Sequence, residues 1–420
     1  MEILPGEKVY RAYIGLIWFF PYYEQLDLSK TRDILQVGVD RLIAESTILA
    51  GTLKEDADSV RVEHHDGTSV IVQQHTAPYS LQEISACGYD QNCFPRVFED
   101  LPGLTPDIDG LPVLVVRVTK LECGALAVAV LIHHVFADAA GAVAVAHNLS
   151  MHCDNSHPST PLCYNRDSLA YKISSYKPAA PACMKQALKT DPLAFGASNL
   201  SFQGSMTRCQ FRISKESLMQ FRNLIDVGNP STNSVVLALL WRVWTRMLRK
   251  HGSKGHFTYA GGPVDMRNSI GPIFSNEQFY IGNLIQPLPM SASVELVLNK
   301  TLVEVALYVQ DYFKKEISPA ILRWYMSGAD HDIGGHLAKT DTPMLAFSNM
   351  RRPLANTNNM CFGLECPPLS VQLRSFDAPF MFFAIDDGCG GILINCNLPV
   401  SSRDAFSSDK EFADFATLVY

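Results

Sequence analysis

Residues 131–141, LIHHVFADAAG, place His133, His134 and Asp138 at the end of a strongly apolar run. A histidine followed four residues later by an aspartate holds the parts of a proton-transfer site. Its ring titrates near neutrality, and a carboxylate that fixes one ring nitrogen leaves the other free to accept a proton. A tight turn after the strand would bring Asp138 back toward His134. The same pair also reads as a core histidine bonded to a nearby carboxylate, and the spacing by itself does not choose between the two.

Other residues with chemical potential carry less. The eleven cysteines are odd in number, scattered from Cys87 to Cys396 and without a Cys-x-x-Cys pair, so they read as reduced, buried small hydrophobes. No His-Glu-x-x-His stretch occurs; His331 and His336 flank DIGG, which suits a loop, and no metal site is expected. Cys361 and Cys366 lack an identifiable base and read as loop residues. The absence of Gly-x-Ser-x-Gly leaves a serine esterase without support. The glycines of GCGG, 388–391, join two strands and read as a hairpin turn instead of a phosphate loop. The cations of RKHGSK, 249–254, stand at a helix carboxyl end, where the helix dipole favours them.

The elements that would position the histidines read as α/β. AYIGLIWFF is a strand, followed by a helix that Ser29 can cap and in which Leu35, Val39 and Leu42 recur at helical spacing up to Gly51. SVRVEHHDGTSVIVQ reads as a hairpin turned at Asp66-Gly67, with His64 and His65 exposed near the strand end. LPVLVVRVTKLECGALAVAVLI reads as a second hairpin, turned around Glu122, Cys123 and Gly124. Its second strand is apolar on both faces, so it belongs inside a sheet covered on each side. The alanine-rich DAAGAVAVAHNLSMHC then forms a helix against that sheet. His134 thereby falls at a strand end, where open α/β folds place their ligand crevices.

The chain divides into residues 1–175, a proline-punctuated crossover at 176–205 that lacks periodicity, and residues 206–420. The last part repeats the α/β character: a strand TRCQFRIS, an amphipathic helix SVVLALLWRVWTRMLRKHG closed by Gly252, the segment FTYAGGPVDMRNSI, and a late hairpin APFMFFAIDDGCGGILINCNLP. A length of 420 residues suits two domains, and 47% hydrophobic with 18% charged residues suits a globular chain. A formal charge of −7 argues against a nucleic-acid partner. The apolar run at 14–20 is too short to span a bilayer and lacks a signal-peptide cleavage pattern, so a cytoplasmic protein without a membrane partner is expected.

HHVFADA resembles the His-His-x-x-x-Asp-Gly motif of the BAHD acyltransferases. Further segments agree in the family's order: STNSVVLALLWRVW, VDMRNSI as the Asn/Asp-x-Arg segment, FYIGN as the aromatic-Gly-Asn signature, and GGILINCNLP as the closing strand. The chain resembles a distant, fungal-type member. The resemblance implies two chloramphenicol-acetyltransferase-like domains, each a mixed β-sheet flanked by helices, with a channel between them that coenzyme A and the acceptor enter from opposite sides. It implies His134 as general base and Asp138 as a structural aspartate that pairs with Arg267, with His133 a packing or turn residue. Acyl-CoA would be the co-substrate, a hydroxyl or amine of a specialised metabolite the acceptor, no covalent acyl-enzyme would form, and the protein would be a monomer.

Three departures from the family pattern stand out. Ala139 replaces the motif glycine. CFGLE, 361–365, keeps only Phe362 and Gly363 of Asp-Phe-Gly-Trp-Gly, so these two are expected as structural support without the aspartate. Met350 stands where many members have a tryptophan that helps hold the oxyanion; Ser348 and Asn349 are the candidates to replace it, and Asn283 joins them as a candidate substrate-binding residue. Two alternatives remain: a free-standing condensation-type enzyme, a class that shares the motif and takes its acyl group from a carrier protein, and a binding protein that kept the fold while the altered CFGLE cost it catalysis, against which the intact His134 and Asp138 argue.

Overall fold

The computed structural model describes residues 3, 11–22, 27–56, 59–64, 67–89, 94–98, 101–103, 105, 107–179, 206–223, 229–270, 278–327, 344–374 and 381–419. Most of the crossover expected at 176–205, and also His65, Asp66, His331 and His336, lie outside the described residues. The strands in chain order are β1 (Tyr13–Phe20), β2 (Thr52–Glu55), β3 (Val60–Glu63), β4 (Gln73–Ala77), β5 (Leu114–Leu121), β6 (Leu126–His133), β7 (Leu162–Cys163) and β8 (Met206–Ile213). They continue with β9 (Phe257–Asp265), β10 (Phe279–Tyr280), β11 (Ile285–Ser293), β12 (Leu345–Asn349), β13 (Ser370–Arg374), β14 (Met381–Asp386), β15 (Ile392–Pro399) and β16 (Ala416–Leu418).

Two mixed sheets organise them. The first has the order β13-β1-β6-β5-β4, antiparallel except where β4 pairs parallel with β5. Its strands alternate between two buried faces. Ile14, Leu16, Trp18 and Phe20 of β1 join one core with the helices Leu28–Glu45 and Ala139–Cys153, while Tyr13, Ile17 and Phe19 join another with Ile84, Phe94 and Phe98. This is why β6 is buried along its whole length, as its uninterrupted apolar run predicts. The turn from β5 to β6 passes through Gly124 at φ +83°, a left-handed torsion that suits glycine.

The second sheet has the order β11-β9-β12-β14-β15-β8-β16, parallel only at β9/β12 and β12/β14. It packs on the helix Thr232–Lys250, whose Trp241 and Trp244 are fully buried. That helix is capped by Ser231 and followed by Gly252 at φ +89°, and Arg249 donates to the carbonyls of Ser253 and Gly255, closing its carboxyl end. Among the described residues no helix is long and apolar enough to cross a membrane.

Two local expectations are corrected. The first helix begins at Leu28 with Asp27, not Ser29, as its cap, because the Asp27 carboxylate accepts from Lys30 N. It stops at Glu45, ahead of a 3₁₀ turn, Thr47–Ala50, that leads to Gly51. The hairpin expected across 59–73 does not form: β3 pairs with the preceding β2, and β4 instead lies parallel to β5 at the sheet edge. The buried Val62 lies opposite the buried Leu53 across the β2–β3 pair, with Val60 buried on the same face, whereas β4 carries mostly exposed side chains.

One strand crosses between the halves. β13 pairs with β1 in the first sheet, Gly15 opposite Arg374, and the segment before it packs there as well. Trp18 Nε1 donates to Thr357 O at 2.8 Å, and its indole meets the Phe362 ring edge-on at 4.9 Å. Nearer the histidines, β7 runs parallel to β10 and Ala137 bridges to Gly282.

Candidate active site

β1 and β6 fix the register at the site, with Tyr13 opposite His133. His133 N donates to Val113 O, and His134 N, just past the strand, donates to Ala12 O at 2.7 Å. Alternation sends the two rings to different environments. The His133 ring is fully buried, edge-on to Tyr13 at 4.8 Å, with Nε2 2.9 Å from Thr105 Oγ1 and Nδ1 accepting from Val135 N. Burial first, then the neighbouring His134 and Arg11, push its pKa down to about 3. It is a neutral packing residue with one ring nitrogen engaged by Thr105 and the other by the turn.

His134 faces a cavity of about 120 Å3. Burial lowers its pKa against the opposing pull of Asp138, so the ring is neutral at pH 7 and able to accept a proton. The Asp138 carboxylate does not turn back to the ring. It caps the helix Ala139–Cys153 by accepting from Gly141 N at 2.9 Å, and it takes Arg267 Nη1 and Nη2 at 2.9 Å each and Leu284 N at 2.9 Å. The N-cap geometry aims the side chain along the helix start, where these donors converge. Arg267 donates further to Tyr280 O, Gly282 O and Asp265 Oδ1, so the pair ties the first sheet's turn to the segment between β9 and β11. A Cβ on Gly141 would lie 2.0 Å from Ile281 O, which shows how closely the helix start abuts that segment. Ala139 opens the helix without a left-handed torsion, which explains why alanine is accepted there.

Asn283 is fully buried beneath the turn. Its amide donates to His134 O at 2.8 Å and Val135 O at 3.1 Å, and it is not among the residues lining the cavity. Ser348 and Asn349, at the end of β12, do line it with His134. The Ser348 hydroxyl points to Met350 Sδ at 3.5 Å, a weak acceptor that a better one can displace. The Asn349 amide already donates to Asn233 Oδ1 at 2.9 Å, which leaves Ser348 the readier donor of the two. Asp138, Asp265 and Arg267 also line it, and the rest of the wall is apolar and comes from both sheets: Leu16 and Leu373 from the first, Ile285 and Phe383 from the second. A larger space of about 680 Å3 adjoins it, sharing Arg267, Asn349 and Pro353, with His147, Asn268 and Arg352 on its polar side.

Phe362 and Gly363 stand apart from the cavity. Phe362 is fully buried at φ +51° and its N donates to Ser150 Oγ; Gly363, at φ +73°, donates to Asp154 Oδ1 at 2.7 Å. They clamp the 361–365 turn to the carboxyl end of the helix that starts at Asp138. Ser150 and Asp154 were not singled out from sequence, although an aspartate just past a helix end is a usable anchor for a neighbouring backbone N–H. Burial raises the pKa of Cys361 and of Cys366, so neither is an activated thiolate. Among the described residues no group of three or more histidine, cysteine or acidic side chains is arranged to hold a metal.

Comparison with known proteins bears on the family and the fold. A family model described as Transferase family matches residues 9–413. Alcohol acyltransferase 1 of Actinidia chinensis var. chinensis is 27% identical over 241 residues, 56% of this chain and 51% of that protein, so the match spans about half the length of that relative. The structure of F. graminearum TRI101 complexed with coenzyme A and T-2 mycotoxin superimposes with a TM-score of 0.74 at 17% identity, covering 100% of this chain and 99% of that one. Vinorine synthase gives 0.66 at 17% identity, covering 96% and 91%. The chain belongs to the Transferase family, the BAHD acyltransferases, and has their two-domain α/β fold.

Proposed function

We propose that the protein transfers an acyl group from acyl-CoA to a hydroxyl or amine of a small, largely apolar acceptor, with His134 as general base. The observation that carries this reading is the neutral His134 ring at the wall of a cavity that faces the Ser348 hydroxyl and is otherwise mostly hydrocarbon. His134 takes the proton from the acceptor as its oxygen or nitrogen attacks the thioester carbonyl. Ser348 Oγ–H donates to the oxyanion, and collapse expels the coenzyme A thiolate, which recovers the proton from the imidazolium. The acyl group passes directly between the two substrates, so no acyl-enzyme forms. The adjoining polar space, with Arg352 and His147, suits the phosphates and pantetheine of the donor.

The T-2 mycotoxin and coenzyme A bound to TRI101 support a CoA donor and a small-molecule acceptor for this chain as well. The test incubates purified protein with acetyl-CoA and longer acyl-CoAs together with a panel of alcohols and amines, and follows thiol release and product mass. Product from free acyl-CoA is expected. Product only from an acyl group on a carrier protein would contradict the CoA reading, and product from neither would contradict transferase activity.

A further inference from the structure

The turn that presents His134 is held at three successive carbonyls. Asn283 takes those of His134 and Val135, and Arg166 Nη2 donates to Phe136 O at 3.3 Å. Arg166 grips the same residue a second way. Its Nε donates to Tyr164 Oη and its guanidinium lies 4.7 Å over the Tyr164 ring, which stacks on the Phe136 ring at 4.0 Å and 13°. Phe136 is thus held at ring and carbonyl by one unit of two residues.

The position is unfavourable for an arginine on stability grounds. Arg166 is only 4% exposed, and it is the first residue of the helix Arg166–Ser174, where the dipole disfavours positive charge. Burial lowers its pKa to about 10. A residue kept against both effects is explained by what it holds. Its Leu169 and Ile173 share one core cluster with Met266, Tyr280 and Leu284, of which Met266 and Leu284 adjoin Arg267 and Asn283 in the chain. The groups that hold Asp138, His134, Val135 and Phe136 therefore form one packed body.

We propose that Arg166 is a positioning residue for His134. By fixing Phe136 it sets the turn between His134 and Asp138, and with it the direction of the His134 ring, without lining either cavity itself. This rests on the acyltransferase reading above. It predicts a loss confined to turnover, because Arg166 contributes no atom to the donor or acceptor wall.

The test uses the full chain as wild type, Arg166→Gln and Arg166→Lys, with kcat and KM for acyl-CoA and amide hydrogen exchange of a peptide covering residues 133–138. In Arg166→Gln, kcat falls about 10- to 100-fold, as for a displaced catalytic group. Its KM stays within about twofold, since binding contacts are unchanged, and exchange in the turn quickens. Arg166→Lys, which still reaches the Phe136 carbonyl but loses the fork, recovers to within about fivefold of wild type. A folded Arg166→Gln with wild-type kcat and exchange, a loss that appears in KM instead of kcat, or no recovery by lysine overturns the proposal. If Arg166→Gln does not fold, Arg166→Lys decides by the same readings: slower turnover with faster exchange supports it, and both unchanged overturn it. A wild type without transferase activity would contradict the acyltransferase reading, and the exchange data would still decide whether Arg166 fixes the turn.

Discussion

Separating Asp138 from Arg267 should be among the most damaging changes at the site, and its size follows from burial. The Asp138 side chain is 2% exposed and the Arg267 side chain 14%. The carboxylate accepts four hydrogen bonds, two of them from Arg267. Arg267→Met leaves a buried carboxylate held only by Gly141 N and Leu284 N, at a cost of about 3–5 kcal/mol. Asp138→Asn keeps a competent helix cap but strands the guanidinium. That loss is smaller, about 2–3 kcal/mol, because Arg267 retains Asp265 and the carbonyls of Tyr280 and Gly282. In the double variant neither charge is left buried alone, so its destabilisation should fall short of the sum of the singles by about 1–3 kcal/mol. Urea unfolding of the four proteins, with matched m-values, measures this. Strict additivity would refute the claim that the two residues act as one buried pair.

Other changes have defined outcomes. Ser348→Ala should lower kcat by roughly 10²-fold with little change in KM, the effect of removing one oxyanion donor; unchanged kcat in steady-state assays would assign that donor elsewhere. His133 is neutral when folded, with a pKa of about 3, and titrates near 6.5 when unfolded. The unfolded chain alone takes up the proton, so stability from this residue is full above about pH 6.5 and is lost progressively toward pH 3, in all of order 4–5 kcal/mol. A His133→Phe variant whose urea midpoint declines over that window as steeply as wild type would contradict this. Gly363→Ala should cost about 1–3 kcal/mol, because its φ is +73° and a Cβ would meet Cys153 O at 2.9 Å; thermal unfolding reads it.

Much of the site was legible where the signal is local. The doubly apolar LAVAVLI run gave the central strand, the glycine at 124 its turn, and the alanine-rich segment after Asp138 the helix that this residue caps. The polar residues ending a core strand pointed to the cavity edge. What escaped is long-range. β13 returns more than 350 residues later to pair with β1, and no periodicity in SVQLR announces that partner. The β2–β3 pairing is hidden by a stronger-looking Asp-Gly turn signal downstream, and Asp27 and Ser29 are both good caps two residues apart, so residue type alone does not single out Asp27. Asp138 and Arg267 are 129 residues apart, and only the family resemblance joined them; spacing alone favoured a contact between Asp138 and His134. Asn283 was expected at substrate, yet its amide lies under the turn, a distinction that depends on which way a buried side chain points.

The most direct test of the account is the turnover of His134→Ala beside wild type, with acyl-CoA affinity measured on both. The account predicts kcat lower by about 10²- to 10⁴-fold with donor affinity preserved, since the ring supplies proton transfer and no covalent bond. Equal turnover by the alanine variant would contradict it.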